Sequence, residues 1–78
     1  MWANDKPENV KHGDIIKFIA LHGREYGIRV TDIRRIDGYD VPVYRFKGQL
    51  LDIDTDYIRD MGYVECVYVT DEIVEVLE

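Results

Sequence analysis

Residues 26–46, YGIRVTDIRRIDGYDVPVYRF, decide the fold. Tyr26, Ile28 and Val30 alternate with Gly27, Arg29 and Thr31, the period of two that places one face of a β-strand on a core. The apolar phase then changes, because Ile33 and Ile36 no longer match Ile28 and Val30. A change of phase inside one β-run is the mark of a bulge or a strand bend. Asp37-Gly38 follows, a short-range hairpin signal whose turn positions both favour positive φ. The run VPVYRF reads as the returning strand. Pro42 has no amide to donate, so it belongs at the start of that strand or on an edge.

Outward from this hairpin the pattern remains β. In GDIIKFIAL, residues 13–21, Ile16, Phe18 and Ala20 share one face, and Ile15, Lys17, Ile19 and Leu21 the other. HGRE supplies a glycine-bearing turn. Lys47-Gly48 reads as a further turn, with QLL as a short strand after it. YVECVYVT, residues 63–70, is rich in β-branched and aromatic residues and reads as a strand. The tail DEIVEVLE fits a helix face capped by Thr70 or a last strand, and its valines favour the strand. Residues 1–12 contain Pro7 and no periodicity, so they read as a flexible or loosely docked arm, with Trp2 and Val10 available to pin it. Residues 13–78 then form one small domain. The expected fold is mainly β, a β-rich α+β arrangement. It is a small antiparallel, strongly bent sheet or SH3-like barrel of about five strands, with one short helix near residues 55–61.

That helix comes from the acidic stretch LLDIDTDYIRDMG, residues 50–62. Asp52, Asp54 and Asp56 match the opening of an EF-hand calcium loop, but the positions that need glycine and a bidentate glutamate hold Tyr57 and Tyr63. A helix start accounts for more of the residues. Asp54 serves as N-cap, Ile53 and Ile58 form a hydrophobic staple, Asp56 faces the positive end of the helix dipole, and Gly62 takes the C′ position. Asp60 fits poorly, four residues after Asp56 and near the helix C-terminus.

The 78 residues are 33% charged, with a formal net charge of −6. Residues 1–47 carry nine of the ten basic side chains, and residues 48–78 carry only Arg59 against nine acids. The chain lacks serine, both histidines lie beside glycines in turns, and nothing resembles a phosphate-cradling loop, so no catalytic, cofactor or metal site is expected. Cys66, the single cysteine, cannot close an internal disulfide. With no run of membrane-span length, the sequence reads as soluble and cytoplasmic.

What remains is binding. The first expectation is a non-catalytic acidic domain that contacts a basic or nucleic-acid-binding protein, as an inhibitor or adaptor, through Asp52, Asp60, Tyr57 and Tyr63. The alternative is a small barrel that binds nucleic acid through Arg29, Arg34, Arg35, Arg45, Lys47 and Tyr39. An open sheet edge would also permit a homodimer.

Overall fold

The computed structural model describes residues 1–53 and 57–78. Six strands, β1 (Trp2–Asp5), β2 (Ile15–Ile19), β3 (Glu25–Ile36), β4 (Val43–Asp52), β5 (Arg59–Val69) and β6 (Val74–Leu77), form one sheet in the order β1-β6-β2-β3-β4-β5. Every pairing is antiparallel. The sheet is open, with β1 and β5 as its edges, so the bent-sheet alternative holds and the barrel does not. It folds back on itself all the same. Val67 and Val69 of β5 line a groove together with Lys17 and Phe18 of β2, although β3 and β4 separate these strands in the sheet.

The expected phase change in β3 is present. The β3–β4 register slips between Val30 and Asp32, which brings Ile33 opposite Phe46 after Ile28 opposite Leu50. The apolar set therefore stays on one face, where Ile16, Ile28, Val30, Phe46 and Leu50 are buried, joined by Val10 and Val74. Full burial of a side chain such as Phe46 contributes ~1.5–3 kcal/mol. Tyr44 stacks on Phe46 with ring centroids 6.2 Å apart. The tail is a strand, as its valines favour.

Four expectations are corrected. Lys47-Gly48 is not a turn, since β4 runs through it without interruption. Gly48 is required instead by close backbone approach: a Cβ there would sit on the Arg29 carbonyl oxygen and 2.7 Å from its carbon. The hairpin signalled by Asp37-Gly38 is present between β3 and β4, with Gly38 at φ +105°, but its turn is not the tight one in which both positions have positive φ. That connection runs over residues 37–42, and no non-glycine among the described residues has positive φ. The ladder closes at Ile36 opposite Val43, next to a proline that could donate no further ladder bond.

The arm is not loose. β1 pairs with β6, a 3-10 turn follows over Pro7–Asn9, Val10 is buried, and Lys17 Nζ lies 4.8 Å from the centre of the Trp2 ring. The helix near 55–61 is also absent from the described residues: Arg59, Asp60 and Met61 belong to β5, opposite the end of β4. The roles of Asp54 and Asp56 lie outside the described residues. Pairing there gives ladder partners to Leu51 and Asp52, both buried, and tertiary demand of this kind overrides local helix preference. Gly62, at φ +83°, marks a bulge where the β4–β5 register slips between Gln49 and Leu51.

Two carboxylates on β5 bind its own backbone. Asp60 accepts the Gly62 N–H at 2.7 Å, and Glu65 accepts the Cys66 N–H at 3.1 Å. Asp5, at the end of β1, accepts the Asn9 side-chain amide and the Lys6 N–H. These bonds, that to Asn9 foremost, hold its carboxyl below the ordinary value of 3.8. A depressed folded-state value means that the stabilisation is complete above 3.8 and is lost as pH falls through the lower value. Asp5→Ala should therefore melt below the parent at neutral pH, and the gap should close as the pH is taken under 3.8. A gap of constant size across that range would refute the assignment.

Candidate functional site

The register of β3, β4 and β5 sorts the basic side chains. Residues directly opposite one another across antiparallel strands share a face. Arg34 lies opposite Arg45, and Arg45 opposite Tyr68. Asp32, Lys47 and Cys66 form the next row, and Arg29, Gln49 and Val64 the one after. All three rows lie on the face away from the main core. Arg29, Arg34 and Lys47 are exposed, and Tyr68 is 63% exposed. Arg45 is half-buried and donates to Asp32 at 2.9 Å. That bond raises the Arg45 pKa further, so its charge is fixed.

Two residues of the expected basic set are elsewhere. Arg35 lies opposite Tyr44 on the core side, bonded to Asp37 at 2.9 Å with its guanidinium over the Tyr44 ring. Tyr39 is exposed in the β3–β4 connection, off the sheet.

The expected acidic set does not form a surface. Asp52 is only 1% exposed and lies opposite Tyr26 and Arg59. Its Oδ2 accepts Arg24 Nη2 at 2.6 Å and Arg59 Nη2 at 3.3 Å. A carboxylate so deep needs such partners, so Asp52 is a structural anchor and cannot reach a partner protein. Tyr57 and Tyr63 are exposed, and Asp60 is engaged with Gly62.

Acidic side chains do converge at one end of the sheet. Asp5 pairs with Val74 and Tyr44 with Val69, which brings the 3-10 turn, the β3–β4 connection and residues 70–73 together. Between them lies a groove of about 350 Å³. Pro7 and Tyr44, both buried, form its floor, and Val41, 49% exposed, and Pro42 its wall. Glu8, Asp71 and Glu72 stand exposed around it, with Lys6 as the one lining cation among the described residues.

The sequence had not singled out Glu8, Asp71, Glu72 or Tyr68. The three acids come from separate connections and carry no common spacing. Tyr68 joins the arginines only through the β4–β5 register. The chain matches no family model, no curated protein and no solved structure. Among the described residues no helix is long and apolar enough to cross a membrane.

Proposed function

We propose that the protein is a non-catalytic interaction domain that takes a basic segment of a partner protein in the groove between the 3-10 turn, the β3–β4 connection and residues 70–73. The observation that carries this reading is the pairing of an apolar floor with a rim of three carboxylates and a single lysine. An apolar anchor side chain can fill the floor, while flanking lysines or arginines meet the rim. Interfaces combine a desolvated centre with a charged rim in this way, and rim charges act on encounter rate and salt dependence. The single free cysteine supports a reducing, cytoplasmic setting.

The test uses a fluorescent basic peptide with one central leucine. Glu8→Lys/Glu72→Lys should weaken its binding roughly tenfold and flatten its salt dependence. The melting temperature should stay close to the parent's, because both side chains are exposed. Val41→Asp should also weaken binding. Unchanged affinity in both variants would exclude the groove.

A further inference from the structure

We infer that the solvent face of β3, β4 and β5 is a second binding site, and that its ligand is single-stranded nucleic acid. The inference does not rest on the acidic groove. It starts from a placement that costs stability. Arg34 and Arg45 are directly opposite one another, and like charges in that position repel. Asp32 neutralises only Arg45. Among the described residues, Arg29, Arg34 and Lys47 have no carboxylate within ion-pair distance. Three exposed cations without an ion pair, beside a repulsive pair, leave this face with positive charge that the scaffold does not use. The cations make sense as phosphate contacts.

The geometry fits a strand of nucleic acid. Neighbouring strands lie about 4.8 Å apart, so β3 and β5 are separated by roughly 10 Å. The rows at Arg45, Lys47 and Gln49 follow one another every ~6.6 Å along β4. The cations thus cover a strip wide enough for one backbone and long enough for a few nucleotides. Tyr68 closes the Arg34–Arg45 row and is 63% exposed. An open aromatic face beside guanidinium groups is a stacking platform for an unpaired base, and duplex DNA offers no such base. The net charge of −6 lowers the affinity at a distance. It does not cancel the local field, because Asp32 is the only acid in these three rows.

The test is fluorescence polarisation with an oligothymidylate of about eight nucleotides. Binding should be clear at about 50 mM salt and fall steeply by about 200 mM. Arg34→Glu/Lys47→Glu should weaken it by at least about tenfold, since two phosphate contacts become repulsive. Tyr68→Ala should weaken it by roughly 5- to 100-fold, and Tyr68→Phe should retain it, since stacking needs the ring and not the hydroxyl. Arg34, Lys47 and Tyr68 are all exposed, which permits a check of unchanged circular dichroism and melting. Glu8→Lys/Glu72→Lys should leave oligonucleotide binding intact or strengthen it, which separates this site from the groove. No binding at low salt would overturn the inference. So would equal binding of a duplex of the same length. Displacement by polyglutamate combined with a neutral Tyr68→Ala would overturn it in favour of an acidic protein ligand.

Discussion

Gly48→Ala should cost the domain about 3 kcal/mol or more, and in urea the variant should unfold at a much lower midpoint. The slip between Val30 and Asp32 folds the β3 backbone over Gly48, which pairs with Val30. An added Cβ would meet the Arg29 carbonyl group and, at 3.0 Å, the Cγ2 of Ile28. These are a backbone carbonyl and a fully buried side chain of β3, and neither can step aside without parting β3 from β4. A chain of this length holds roughly 4–12 kcal/mol in total, so the loss is a large share of it. Gly27→Ala is the control. There the added carbon would press on the Cγ2 methyl groups of Ile15 and Ile53, at 3.2 and 3.3 Å, and would touch the Ile16 carbonyl oxygen at an ordinary 3.5 Å. Side chains can give by a few tenths of an ångström, so the loss should stay near 1 kcal/mol. Equal midpoints for the two variants would show that the slip is misplaced.

Asp52→Ala should rank next, at about 2–4 kcal/mol. Removing the carboxylate takes away the buried oxygen to which both Arg24 and Arg59 donate. Arg24 lies 5.4 Å from the centre of the Tyr26 ring and retains its apolar packing, so the loss is chiefly electrostatic. The figure sits below the upper range for a buried pair because the Arg24 and Arg59 side chains are 40% and 63% exposed and can recover water. Asp60→Asn should cost far less, since an amide oxygen can still accept the Gly62 N–H. Melting of both variants side by side decides the point. A harmless Asp52→Ala would return Asp52 to the surface.

These two positions are where the sequence misleads, and most of the rest was readable. Period-two alternation in residues 28–30 and 43–46 reports directly on burial, and even the slip in β3 is visible as a change of phase at Ile33. The stretch after Asp52 misleads because its local spacing satisfies a helix start, while the end of β4 needs Arg59 and Asp60 as ladder partners in a strand. Local rules contain no term for a strand end that still lacks its ladder partner. Gly48 misleads for a related reason. A glycine after lysine looks like a turn, and the need for a bare Cα arises only when another strand crosses over it. Charge was readable as amount and not as place. Counting put the acids in the second half of the chain, whereas folding buries Asp52 and gathers Glu8 with Asp71 and Glu72. The basic residues fared better, because strand parity alone already puts Arg29 and Arg45 off the core.

The carboxylates of Asp60 and Glu65 carry a consequence for how the protein behaves in a crowded solution. β5 offers an eleven-residue rim, the kind of template along which chains can stack into fibrils. On that rim the Gly62 and Cys66 amides are already held by acids of the same strand. An incoming chain must first release both, and must then sit beside two negative charges that its own copy also carries. The two acids least explained by any partner thus act as a lock against the wrong one.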